Sequence, residues 1–174
     1  MFPREGTARW LAWIHIALLI WIWWVPLSAY DQLPDQVPVH FDGKGNPNRF
    51  AAKSGWELWS LPIVATLLGI GVFVLLRFPQ ACNYPRKDEV KALPPELREQ
   101  VYAILREMMM AVFVCVDLLF LFIIKGIVAG ARTGHAEVNW VPIVLFAAGP
   151  LLLMVYYLPR ISRTIDRLKA GLPR

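Results

Sequence analysis

The sequence predicts an all-α membrane protein, a four-transmembrane-helix bundle with a small extracytoplasmic β-hairpin loop. Three observations predict it: four apolar runs of membrane-crossing length, an uneven spread of Lys and Arg among the segments joining them, and one turn-rich segment between the first two runs. Composition agrees. Of 174 residues 57% are hydrophobic and only 18% charged, with 8 Trp and a mean hydropathy of +0.46. Soluble domains carry about 25% charge.

The first run extends from Trp10 to Tyr30 and the second from Trp56 to Leu76. The third covers roughly Met108 to Ala131 and the fourth Trp140 to Leu158. Each approaches the about 20 residues that span some 30 Å of hydrocarbon at 1.5 Å per residue. Trp10, Trp13, Trp21, Trp23 and Trp24 sit toward the ends of the first run, and Tyr156 and Tyr157 close the last, as interfacial aromatics do. A cleaved signal peptide would need Arg4 and Arg9 before, and Ser28-Ala29 after, an apolar stretch of only about 7–15 residues. The first run is longer than that and dense in Trp, which favours a span.

Lys and Arg set the expected orientation. Arg77, Arg86, Lys87, Lys91, Arg98 and Arg106 lie between the second and third runs, and Arg160, Arg163, Arg167, Lys169 and Arg174 follow the fourth. The first connection offsets Lys44, Arg49 and Lys53 with Asp31, Asp35 and Asp42, and the third has only Arg132. Positive residues stay inside. The second connection and both termini are therefore expected in the cytoplasm of a bacterial-type inner membrane, with the first connection outside.

Four parts follow: residues 1–77, two spans with the loop 31–55; residues 78–107, a basic loop and helix extension; residues 108–158, spans three and four; and residues 159–174, a basic tail. Pro94-Pro95 followed by Glu96, Leu97, Glu99 and Val101 suits a helix start with acids in its first turn, so the third helix is expected to begin outside the membrane. The tail places Ile161, Ile165 and Leu168 on one side. It is expected to lie along the inner surface, held by anionic lipid at roughly 1 kcal/mol per basic residue.

The net charge of +5 is concentrated beside apolar runs, and no nucleic-acid-binding motif is present. The bilayer, not nucleic acid, is the expected partner. Cys82 and Cys115 lack CxxC spacing and a disulfide context. No nucleophile–base pair, Gly-rich phosphate loop or HExxH motif occurs, so the chain reads as non-enzymatic, with no cofactor or metal.

The loop from Asp31 to Pro62 is more specific. Pro34 and Pro38 favour extended backbone before them. Val37–Phe41 reads as a strand, Asp42–Asn48 as a turn, and Arg49–Ala52 as the returning strand. His40, with Asp35 and Asp42 near it, has the chemistry of a divalent-metal or pH-sensing site, since imidazole titrates near neutrality. Asp and Asn side chains bonding turn backbone is the preferred reading.

Leu33-Pro34, Val37-Pro38, His40-Phe41, Gly45 and Pro47 follow the pattern LP-x-x-VP-x-HF-x-x-x-G-x-P, with Lys53 and Pro62 beyond it. This stretch resembles the N-terminal domain of unknown function, family 1648, of SdpI-like bacterial membrane proteins. The resemblance covers about the first 75 residues; the arginine-containing motif of the SdpI C-terminal half has no counterpart here. It implies an immunity-like or signalling-like role, in which the loop meets an extracytoplasmic peptide or a membrane-protein partner. Pro34, Pro38, His40, Phe41, Gly45, Pro47, Arg49 and Lys53 form the expected recognition set. A homo-oligomer is compatible with it.

Inside the runs, His15, Asp117 and Lys125 stand out, because ionisable groups cost about 2.5–3.5 kcal/mol at mid-membrane on insertion scales. His15 and Asp117 fall within about one helical turn in depth and are expected to pair. Lys125 points about 80° away from Asp117 and is expected to snorkel outward. An interhelical polar clamp is preferred to a proton relay. Met108–Met110 read as apolar filler, and Gly69–Gly71 and Ala147–Gly149 as small-residue patches for close helix approach. Besides recognition, a small proton-coupled transporter component and an accessory subunit of a membrane complex remain as alternative functions.

Overall fold

A computed structural model describes residues 6–134 and 139–172, so Arg4 and Arg174 lie outside the described residues. The order is α1 (Thr7–Ala29) with a 3₁₀ turn at Tyr30–Gln32, β1 (Gln36–Phe41), β2 (Pro47–Ala52), α2 (Trp56–Arg77), a second 3₁₀ turn at Pro79–Ala81, α3 (Lys87–Ala92), α4 (Pro95–Thr133) and α5 (Trp140–Ala170). α1 with its 3₁₀ turn, α2, α4 and α5 are long and apolar enough to cross a membrane. The chain is a multi-pass, membrane-type helical protein with a two-stranded antiparallel hairpin.

α4 organises the rest. Its 39 residues measure about 58 Å, nearly twice the hydrocarbon thickness, so it overhangs the membrane at the arginine-rich end as expected. Pro95 opens it, where a missing N–H costs nothing. Gly134 stops it in the left-handed region at φ 74°, its amide bonded to the Gly130 carbonyl at 2.9 Å.

The core divides along α4. Toward the hairpin, Leu18 and Ile22 of α1, Leu58 and Ala65 of α2, and Leu121 and Ile124 of α4 pack beneath Val37 of β1. Midway, Ala12, Val72, Leu76 and Met110 form a smaller cluster. α5 packs chiefly on α4. The apolar window of its span is only 6% buried, leaving Val141, Val144, Leu151 and Val155 facing outward as lipid-exposed residues do.

Two expectations need correction. The tail does not lie apart along the surface. α5 continues through Pro159 to Ala170, and Ile161, Ile165 and Leu168 are buried against Val90, Val101, Ile104 and Leu105. The overhang of α4 exposes an i, i+3, i+4 apolar stripe, and covering it with the tail's own stripe removes both from water. The glycine patches also divide. Gly69 and Gly149 meet His15 and Cys115 closely, whereas a Cβ on Gly71 would meet nothing within 4 Å.

The hairpin register runs Gln36↔Ala52, Val37↔Ala51, Pro38↔Phe50, His40↔Arg49 and Phe41↔Pro47. Val39 on one strand and Asn48 on the other are the unpaired extras of two compensating bulges. Val37, Val39 and Phe41 turn toward the helices while His40 stays exposed.

Candidate functional site

Asp42 builds the hairpin turn. Its carboxylate accepts from the amides of Lys44 at 2.8 Å and Asn46 at 2.9 Å, and from the Asn46 side chain at 3.2 Å. These donors, the Asn46 amide foremost, hold the Asp42 carboxyl below its ordinary range. Gly45 completes the loop at φ 84°, a conformation suited to glycine. His40 Nδ1 donates to Asn48 Oδ1 at 2.5 Å. Asp35 faces Lys53 Nζ at 3.5 Å instead. His40, Asp35 and Asp42 are thus each engaged locally, and no group of three metal-ligating side chains occurs among the described residues.

Lys53 fastens the hairpin to the bundle. Its amide donates to the Asp35 carbonyl at 2.9 Å, and its ammonium donates to the Leu33 carbonyl at 3.1 Å and lies 5.4 Å from the Tyr30 ring centroid. Tyr30 packs on Trp59, which stacks on Trp23. Trp23 Nε1 in turn donates to Thr66 Oγ1 at 2.9 Å, joining α1 to α2. Pro38 and Gly45 are buried and Pro47 half-buried, while Pro34 and Arg49 are exposed.

Where β1 passes the hairpin-side ends of α4 and α5, a cleft of about 470 Å³ opens. Val39, Phe41, Phe122, Ile123, Ile127, Trp140 and Ile143 make it mostly apolar, and Gly126 widens it. His40, Asp42 and Lys125 supply the polar groups. Of the expected recognition set, only His40 and Phe41 reach it. Lys125, whose Nζ also lies 5.6 Å from the Trp21 ring centroid, joins them from α4. Phe122, Ile123, Trp140 and Ile143 escaped the sequence reading because they carry no signal beyond that of a lipid-facing residue.

The second locus is buried. His15 Nδ1 of α1 donates to Asp117 Oδ2 of α4, with His15 fully buried and Asp117 2% exposed. Phe73 and Phe113 flank the imidazole, at centroid separations of 5.6 and 6.2 Å. Gly69 of α2 fits against its far edge: a Cβ there would stand 2.9 Å from Nε2. Nε2 itself has no hydrogen-bond partner among the described residues. Lys125 stays outside this pair, as its angular offset on α4 predicts.

Residues 16–66 match the family model of a domain of unknown function, DUF1648. The match begins within α1, contains the hairpin, and ends in α2. An uncharacterized protein of Archaeoglobus fulgidus is 27% identical over 175 residues, covering 95% of this chain and 94% of that protein. No solved structure matches the chain significantly. The domain match therefore covers the hairpin and its Lys53 anchor, but neither the His15–Asp117 pair nor the α4 and α5 walls of the cleft.

Proposed function

We propose that this chain is a non-enzymatic recognition protein of a bacterial-type cytoplasmic membrane, with both termini inside. Its hairpin-covered cleft captures the apolar part of an amphipathic extracytoplasmic peptide. The observation that carries this is the cleft itself: about 470 Å³ of largely apolar space beside an exposed hairpin, with His40, Asp42 and Lys125 as its polar groups. Ligand sites combine apolar walls with a few orienting polar groups. The distribution of Lys and Arg supports placing this end outside. An SdpI-like protective role is the reading the first-loop motif favours.

Gly126 offers the decisive substitution, since a Cβ there meets nothing within 4 Å and a larger side chain would project into open space. Gly126→Leu also improves helix propensity, by about 0.8–1 kcal/mol for a helical glycine, so the fold survives. Native mass spectrometry of protein extracted from its own membrane should show a retained peptide mass that Gly126→Leu loses and Asp117→Asn keeps. Retention by both variants would sink the proposal.

A second reading, a proton-coupled transport component, is favoured by one observation: the buried His15–Asp117 pair, with Nε2 unbonded among the described residues. It reverses the expectation. Asp117→Asn would abolish function and Gly126→Leu would not. An accessory-subunit role would spare function in both and show instead as loss of a partner on substitution of α5's outward face.

A further inference from the structure

The end of the bundle away from the hairpin holds a second, differently built recess. α5 beyond Pro159 presents three stripes, separated by the 100° step of a helix. Ile161, Ile165 and Leu168 form the buried one. Ser162, Asp166 and Lys169 face α3: the Ser162 carbonyl and Asp166 both receive Arg86, and Lys169 bonds Glu89 at 2.8 Å. The third stripe is Arg160, Arg163, Thr164 and Arg167, spaced i, i+3, i+4 and i+7.

With Gln100 and Ile104 of α4, those four residues line a recess of about 340 Å³. One arginine is fixed: Arg160 bonds Glu107 at 3.0 Å, and Glu107 is held by the Tyr157 hydroxyl at 2.9 Å. The recess floor is fixed too, since buried Thr164 bonds the Arg160 carbonyl at 2.9 Å. Arg163 and Arg167, by contrast, have no acidic partner among the described residues and are exposed along the same wall. Among the described residues carboxylates stand opposite Arg86, Arg106, Arg160 and Lys169 but none opposite these two.

We propose that this recess binds a phosphate-bearing anion, gripped by Arg163 and Arg167 and oriented by Arg160 and Gln100. Guanidinium forks match phosphate oxygens in pairs, and charge-assisted bonds of this kind are the strong ones. The recess begins at Arg160, just past Tyr156 and Tyr157, aromatics of the kind that mark a membrane interface. Arg167 lies about 10 Å farther along the axis. A phospholipid headgroup and a soluble phosphate share this chemistry.

The full chain, purified in detergent, distinguishes the sources. Native mass spectrometry would count retained dioleoyl phosphatidylglycerol against dioleoyl phosphatidylcholine, and calorimetry would titrate inorganic phosphate. Saturable binding of one phosphatidylglycerol without phosphate binding assigns a lipid headgroup; saturable phosphate binding assigns a soluble anion. In either case the double variant Arg163→Gln/Arg167→Gln should weaken binding at least about tenfold. A control double variant, Arg77→Gln/Lys91→Gln, removes the same charge from the same end outside the recess and should leave binding within about twofold, the residue of screened long-range charge. Equal weakening by both doubles would reduce the effect to general surface charge and overturn the site. Failure of both probes to saturate would overturn it as well.

Discussion

His15 on α1 and Asp117 on α4 are joined by a buried hydrogen bond between helices that meet mainly through apolar side chains. Their separation of 102 residues makes the bond a tertiary constraint that fixes the depth of α1 against α4. In soluble proteins, breaking a buried pair by removing one partner costs about 3–5 kcal/mol. In membranes the unfolded helices also find partners, and measured couplings average about 0.6 and reach about 1.7 kcal/mol. The membrane figure governs here.

A double-mutant cycle of His15→Ala and Asp117→Ala, unfolded from mixed micelles, is therefore expected to show a coupling of about 1 kcal/mol. Asp117→Asn keeps an acceptor oxygen and should retain part of that coupling. Additive single losses would mean that the two side chains adjoin without supporting each other.

Gly69 limits the same site from α2. Its absent Cβ would stand 2.9 Å from His15 Nε2 and from Leu19 Cδ1. Leu19 can rotate away, but the imidazole is held by Asp117 and two phenylalanine rings. Gly69→Ala is expected to cost about 1–3 kcal/mol, the range of core overpacking. Gly71→Ala, two residues on and in open space, should be neutral or stabilising by up to about 1 kcal/mol. Thermal denaturation of both variants in one detergent decides this. Equal effects would remove the steric account.

These two residues also mark what the sequence makes legible. The spans, their order and the hairpin are readable because apolar length and turn chemistry act locally. The His15–Asp117 pair is readable because ionisable groups in apolar runs need partners at matching depth. The cleft is not: Phe122 and Trp140 look like lipid-facing residues until the approach of β1 to α4 and α5 brings them together, and that packing is long-range. The docking of Ile161 and Ile165 was missed for a related reason. An amphipathic helix reads the same whether its apolar stripe meets lipid or another helix.

In the hairpin, Asp42 and Gly45 carry the turn jointly. Asp42→Ala removes the acceptor of three hydrogen bonds, and Gly45→Ala forces a side chain into φ 84°. Gly45→Ala is expected to cost about 1–2 kcal/mol from left-handed backbone, and Asp42→Ala to loosen the turn through its lost bonds. Hydrogen exchange should then accelerate at the hairpin amides while the α4 amides stay protected. Acceleration spreading to α4 would show the hairpin to be integral to the bundle.

The contact of α3 with α5 should respond to acid. Arg86 bonds Glu89 at 2.7 and 2.8 Å and Asp166 at 2.7 Å, and Lys169 adds to Glu89 at 2.8 Å. The Arg86 side chain, foremost, and Lys169 pull the Glu89 pKa down to about 2, from the ordinary 4.5. A carboxyl depressed on folding stabilises above its unfolded value and loses that contribution as pH falls through its folded one. The contribution of Glu89 to docking is thus complete above pH 4.5 and falls away toward pH 2, while the buried Val90–Ile161 packing does not titrate. The acids are solvent-accessible, so rising salt should weaken the effect. Spin labels at Ala92 and Ala170 would report the separation between pH 7 and pH 2, windows set on either side of about pH 4 where free carboxyls titrate. Glu89→Gln should separate the labels more at neutral pH and flatten the acid response. An unchanged acid response in Glu89→Gln would move the titration to another carboxylate.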